Sequence, residues 1–155
     1  MLITVGNDTY VTTQEADDYF AARYGFDSWI SLVAADKEKA LVSAAQVLDL
    51  GCIWNGAKEV ANQHLAFPRI PDASPVPQAV KDAQCEIAFN IVAAGSATSS
   101  GDDPLSLLKA GSVTLEFKAG SKSNPIINST ITGLLSPYGL CSGSGTTKLI
   151  PIGVQ

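Results

Sequence analysis

Ser74-Pro75-Val76-Pro77-Gln78-Ala79-Val80-Lys81-Asp82-Ala83-Gln84-Cys85-Glu86-Ile87-Ala88-Phe89-Asn90-Ile91-Val92 is the stretch that decides the fold class. Its Ser-Pro-Val-Pro opening suits a helix start, because a proline in the first turn lacks only an N–H that would have no intrahelical acceptor there. At ~100° per residue, Val80, Ala83, Ile87 and Ile91 share one face, and Cys85, Phe89 and Val92 share another. Lys81 lies between the stripes on one side, with Asp82, Glu86 and Asn90 on the other. A helix over 77–93 with two apolar stripes needs two packing partners. One is the domain's own core; the other is a loop of the same chain or a neighbouring subunit. Cys85, Phe89 and Val92 are therefore candidate subunit or partner contacts.

Two more helices are expected upstream. Thr12-Thr13-Gln14-Glu15 has the form of a capping box, in which Thr12 and Glu15 satisfy each other's free backbone donors. The helix behind it, over 13–24, carries Ala16, Tyr19, Phe20 and Tyr24 on one face and stops at Gly25. Asp27-Ser28 then caps a short turn holding Trp29, Ile30 and Leu32. The next helix covers 35–50, with Ala40, Leu41, Ala44, Ala45, Val47 and Leu48 as its buried stripe and Gly51 as its stop. Before all of these, Gly6-Asn7-Asp8 reads as a turn between two short extended pieces.

Residues 51–76 form a long connection broken by Gly51, Gly56, Pro68, Pro71 and Pro75. Ile53, Trp54, Leu65 and Phe67 make it too apolar for a free linker, so it is expected to pack across the helices. Beyond the small-residue hinge at 95–101, residues 112–118 alternate Val113, Leu115 and Phe117 with Thr114, Glu116 and Lys118, the period of a half-buried strand. Residues 126–135 fit a returning strand or a last helix, and periodicity does not choose. The expected fold is mainly α: a three-to-four-helix bundle with a small β element or hairpin. Residues 1–111 form the helical domain and 112–135 the β element of the same domain. Residues 136–155, rich in Gly, Ser and Thr, are expected to be an extended C-terminal tail in which Leu149, Ile150 and Ile152 are candidate partner contacts.

Composition narrows the function. Of 155 residues 46% are apolar and 16% charged, against roughly 25% charged in ordinary soluble domains. So little ionic surface favours burial against partners, although a compact monomer also fits. The net charge is −5, which disfavours a dominant nucleic-acid surface. All 15 acidic side chains lie within residues 1–116, whereas residues 117–155 carry Lys118, Lys122 and Lys148 and no acid. Cys52, Cys85 and Cys141 are odd in number and form no CxxC pair, so unpaired thiols are expected rather than a disulfide framework or a zinc site. No apolar run reaches the ~18 residues that span a bilayer. The opening residues lack the pattern of a signal peptide, which leads us to expect a cytosolic product.

The search for catalytic chemistry yields little. His64 is the single histidine, HExxH and GxSxG are absent, and a structural role beside Leu65 and Phe67 is expected for it. Gly143-Ser144-Gly145-Thr146-Thr147-Lys148 has the wrong order for a phosphate loop, whose lysine must directly follow the last glycine. Glu15, Asp17 and Asp18 suit the positive end of a helix better than a metal or a catalytic dyad. Arg69 stands out between Pro68 and Ile70-Pro71. A guanidinium there either braces its own loop or reaches a neighbouring subunit. No enzyme activity, cofactor or metal is expected.

Several segments in order resemble a known family. Thr9-Tyr10-Val11-Thr12 and Glu15-Ala16-Asp17-Asp18-Tyr19-Phe20-Ala21-Ala22-Arg23 resemble the opening of phage and prophage proteins of the DnaT-like single-strand-binding family. The likeness continues through Trp29, Asp36-Lys37-Glu38-Lys39-Ala40-Leu41, Ala44-Ala45-Gln46-Val47-Leu48-Asp49 and Trp54-Asn55-Gly56. It includes Gln63-His64-Leu65-Ala66-Phe67-Pro68-Arg69 and Val76 through Glu86, and covers roughly residues 9–92. Two features depart from the commonest pattern of that family: Phe67, where tryptophan is frequent before Pro-Arg, and the long Gly/Ser-rich end. Members of this kind resemble the head–tail adaptors of tailed bacteriophages. The resemblance implies a structural virion protein, made in the host cytoplasm and placed at the head–tail junction. It would form a homo-oligomeric ring, usually of twelve subunits, between the portal protein and a tail or neck protein. The packaged DNA would pass through it without sequence-specific binding. The family's label implies the alternative, a single-stranded-DNA-binding replication protein, for which basic and aromatic clusters are scarce here.

Overall fold

A computed structural model of the chain describes residues 3–95 and 126–141. Within them it is mainly helical with small two-stranded sheets: α1 (Thr13–Ala21), α2 (Asp27–Ile30), α3 (Ala34–Gly51), β1 (Cys52–Trp54), β2 (Ala57–Lys58), β3 (Arg69–Ile70), α4 (Gln78–Ala94), α5 (Ser129–Leu135) and β4 (Gly139–Cys141). Strand β1 pairs antiparallel with β4, and β2 with β3. The strand expected at 112–118 lies outside the described residues, as do Leu149, Ile150 and Ile152. No helix among the described residues is long and apolar enough to cross a membrane.

The capping box forms as expected: Glu15 N–H donates to Thr12 Oγ1 at 3.0 Å and Thr12 N–H to Glu15 Oε2 at 2.9 Å. Helix α1 ends at Ala21, earlier than the expected 24. The reason is tertiary. Phe26 and Trp29 must return to meet Phe20, whose ring centroid lies 4.7 and 5.0 Å from theirs. The chain turns after Ala22, Arg23 Nη1 donates to the Tyr19 carbonyl at 2.8 Å, and Tyr24 is left fully exposed. Asp27 lies in the first turn of α2 rather than capping it.

Helices α3 and α4 pack together more extensively than any other pair. Ala40, Leu41, Ala44, Ala45 and Leu48 of α3 meet Val80, Ala83, Ile87, Ala88 and Ile91 of α4 in a continuous core. Alanines on the α3 face bring the two backbones close. Gly95, in the left-handed region at φ +77°, closes α4 as a C-cap where a side chain would be strained.

Of residues 126–135, whose period fits strand or helix, 129–135 form α5 rather than part of a hairpin. Asn128 Oδ1 caps it, accepting from Thr130 and Ile131 N–H at 3.0 and 3.1 Å. Ile126, Ile127, Ile131 and Leu135 are buried, and Asn90 of α4 donates to the Ile126 carbonyl at 3.0 Å. The period was ambiguous because so short a helix shows only two turns.

Two expectations need correction here. The tail was placed from 136 onward, but residues 136–141 belong to the body. Tyr138 N–H donates to the Leu135 carbonyl at 2.8 Å, and β4 pairs Gly139 with Trp54, Leu140 with Ile53 and Cys141 with Cys52. Only glycine fits at 139, since a Cβ would run into the Ile53 carbonyl and the Trp54 ring. The three cysteines are also not all free thiols: Cys52 and Cys141 form a disulfide across this ladder, with Cα atoms 4.0 Å apart. The pair is separated by 89 residues, so no local spacing could reveal it. A link closing so long a loop stabilises by about 4–5 kcal/mol on the chain-entropy account. Cys85 remains a buried thiol, and burial pushes its pKa up to about 12.

Thiol chemistry checks this arrangement. In native, oxidised protein, iodoacetamide should label no cysteine within the time that labels a free surface thiol. After mild reduction, Cys52 and Cys141 should react first and Cys85 only on unfolding. Mass spectrometry showing Cys52 alkylated without reductant would refute the pairing.

Candidate interaction surface

Each nominated residue has a specific environment. Arg69, in β3, turns its guanidinium on its own loop: Nε donates to the Asn55 carbonyl at 2.8 Å, Nη2 to Gly56 at 2.8 Å and Nη1 to Ala66 at 3.1 Å. A planar fork meeting three carbonyls is a brace, so the inter-subunit role suggested for Arg69 is not what its donors do here. Gln63 strengthens the same loop, with Nε2 donating to the carbonyls of Leu65 at 2.9 Å and Pro68 at 3.0 Å. The Phe67–Pro68, Ile70–Pro71 and Ser74–Pro75 peptide bonds are cis.

The second stripe of α4 is largely covered from within the chain. Cys85 is buried, and the Phe89 ring lies 5.9 Å from Phe20 and 4.6 Å from Phe26. The partner proposed for this stripe is thus mainly α1 and the turn that follows it, a correction for Cys85 and Phe89. Val92, half-buried, also packs on the core. The turn at 22–26 carries the Phe26 ring inward, a placement that the pattern of a helix end does not reveal.

In the long connection, Leu65 and Phe67 pack inward as expected, but Ile53 does not and stands 79% exposed. Phe67 is an aromatic hub, with Trp54, Tyr10 and Tyr138 edge-on at 4.7, 6.1 and 6.3 Å. The Tyr10 hydroxyl donates to Asp49 Oδ1 at 2.6 Å and accepts from Phe67 N–H at 3.2 Å, while Ala66 N–H donates to Asp49 Oδ2 at 3.0 Å. Desolvation raises the Asp49 carboxyl above its ordinary value, partly offset by the bonds from Tyr10 and Ala66. Desolvation and the neighbouring carboxylate push the Tyr10 phenol far up, so it stays protonated and donates.

Asp49 opens on one side to a shallow concavity of ≈ 560 Å³ that it shares with Asn7, Gln46, Leu50 and His64. His64 is exposed on its rim rather than packed with Leu65 and Phe67. Among the described residues no three His, Cys, Asp or Glu side chains are placed to hold a metal ion.

Charge is handled within the body. Lys37 pairs with Asp17 at 3.0 Å, Lys39 with Asp36 at 3.6 Å and Lys81 with Glu15 at 3.5 Å. Lys58 donates to the Gln63 carbonyl at 3.1 Å, and the Arg23 guanidinium stacks 3.6 Å over the Tyr19 ring. With Arg69 these are all the lysines and arginines among the described residues. Leu50, Ile53 and Leu140, by contrast, are 80%, 79% and 77% exposed. None of these three was a candidate from sequence. A short strand shows alternation too briefly to say which face is outside.

Two measurements check this picture. Phe89→Asp should lower the stability of the monomer itself by about 3 kcal/mol or more, since it puts a charge among packed rings. An unchanged urea midpoint would mean the ring is not buried there. For Asp49 the raised pKa means that the folded state holds the proton more tightly than the unfolded one. Its contribution to stability is therefore full below the ordinary carboxylate range and declines as pH rises through its folded pKa. Relative to Asp49→Asn, wild-type protein should lose ground in urea melts as pH rises above the ordinary carboxylate range; a gap that widens in its favour would reverse the assignment.

No curated protein and no solved structure matches this chain significantly. A family model does match, over residues 2–151, and its description is "Putative DnaT-like ssDNA binding protein". The match covers nearly the whole sequence, including the braced loop, the Tyr10–Asp49 node and the α3–α4 pair, and the chain belongs to that family.

Proposed function

We propose that this chain is a structural protein that works by assembling with protein surfaces, as a head–tail adaptor ring between portal and tail, and has no catalytic role. One observation carries the reading. The cations of the described body are engaged within the chain, while large apolar side chains stand open to solvent. A surface of that kind suits burial against protein and not the neutralisation of phosphates, which needs unpaired lysines and arginines in a cluster. The segments that resemble the DnaT-like family, whose phage members in turn resemble head–tail adaptors, support the same reading, as does a chain with only 16% charged residues.

A second reading, binding of single-stranded DNA, is favoured by the family's own description. It needs a basic groove with stacking aromatics. Trp54 and Phe67 are engaged edge-on with each other, and acids outnumber bases 15 to 10. Lys109, Lys118, Lys122 and Lys148, outside the described residues, would have to supply the charge.

Titration of a labelled oligothymidylate at 50 mM salt separates the two. We expect no saturable binding at micromolar protein, together with a multimeric mass by light scattering and co-elution with portal protein. Saturable binding that weakens with salt, from a chain that stays monomeric, would establish the second reading instead. His64→Ala should leave infectivity of reconstituted particles unchanged; its loss in folded, incorporated protein would point to chemistry at the concavity.

A further inference from the structure

The sheet made by β1 and β4 has an inner and an outer face. Trp54 and the Cys52–Cys141 disulfide lie against the core. Ile53 and Leu140 are direct cross-strand partners on the other side, 79% and 77% exposed. Two large aliphatic side chains thus stand side by side in solvent, on strands that carry no charged residue. Such a pair on a short sheet is a small apolar platform whose main chain is held rigidly by the disulfide and by Gly139.

What lies near it in sequence matters. The strand β4 ends at Cys141, and the chain continues with Ser142-Gly143-Ser144-Gly145-Thr146-Thr147-Lys148 and then Leu149-Ile150-Pro151-Ile152-Gly153-Val154. The second of these pieces is apolar and uncharged. Residues 142–155 contain Lys148 and no acid, which complements a body rich in carboxylates. Residues 142–148 span at most about 25 Å when extended, so the apolar piece begins within that reach of the platform.

We propose that residues 149–154 of one copy seat on the Ile53–Leu140 platform of a second copy. The inference rests on the assembly reading above and says which surfaces make the contact. Donor and acceptor are different parts of one chain, so the contact is heterologous: every copy can give its segment to one neighbour and receive that of another. Repetition of such a contact closes into a ring when the rotation allows it. The disulfide ties both roles together, because it anchors the root of the donor segment to the strand that bears Ile53.

Two sets of substitutions in the full chain test this. Ile53→Asp disables the platform at an exposed position, and Leu140→Asp is a second variant of the same kind should the first fold poorly by circular dichroism. Ile150→Asp with Ile152→Asp disables the segment. By light scattering at tens of micromolar, wild-type protein should be multimeric and each variant alone monomeric. Mixing the platform variant with the segment variant should restore one working contact and give heterodimers. A mixture that stays monomeric overturns the exchange between copies. Variants that keep the wild-type multimeric mass overturn the proposed surfaces and leave the assembly reading standing. A wild-type chain that is monomeric throughout removes that reading as well.

Discussion

Most of this fold depends on one buried side chain, Gln84. It sits on the core face of α4, fully enclosed, and its amide makes three hydrogen bonds. The carbonyl accepts from Tyr10 N–H at 2.9 Å; the NH₂ donates to Thr9 Oγ1 at 2.6 Å and to the Leu41 carbonyl at 2.7 Å. Three segments far apart in sequence, the N-terminal turn, α3 and α4, are thereby held in one register. A buried amide is costly unless satisfied and specific once it is, because no other alignment of the helices offers the same three partners. Tyr10 extends the constraint: with its backbone on Gln84, its hydroxyl reaches Asp49 and Phe67 and fixes the loop that Arg69 then braces.

A second consequence concerns the helix with two stripes. One stripe meets α3 and α5; the other meets the rings of α1 and the turn after it, with the Tyr19 hydroxyl donating to Glu86 at 2.9 Å at its edge. Both stripes of α4 are covered mainly from inside the chain, with Phe89 and Val92 partly buried. Surface for partners must come from elsewhere, and the exposed aliphatic side chains at the end of α3 and on the β1–β4 sheet supply it. That the cationic side chains are engaged locally has a parallel effect. With little free positive charge on the described body, contact between copies meets less opposition from desolvation of charge than from the surplus of carboxylates, and uncharged strands are the natural place for it.

Sequence by itself determined the local parts. Helix positions followed from apolar period and caps: the Thr12–Glu15 box, the alanine-rich stripe of α3, and Pro77 and Gly95 at the ends of α4 are all short-range signals with short-range causes. The order of motifs that marks the family was equally legible. Gln84 was within reach as well, since it falls between Val80 and Ile87 on an apolar face, where a polar residue demands partners. Tertiary structure alone decided the rest. Whether residues 126–135 wind or extend depended on burial against α4. Where α1 stops depended on returning Phe26 and Trp29 to Phe20. Which cysteines pair depended on a strand register that joins positions 89 residues apart. In each case the deciding free energy lies in a contact between distant segments, and a local pattern carries no record of its partner.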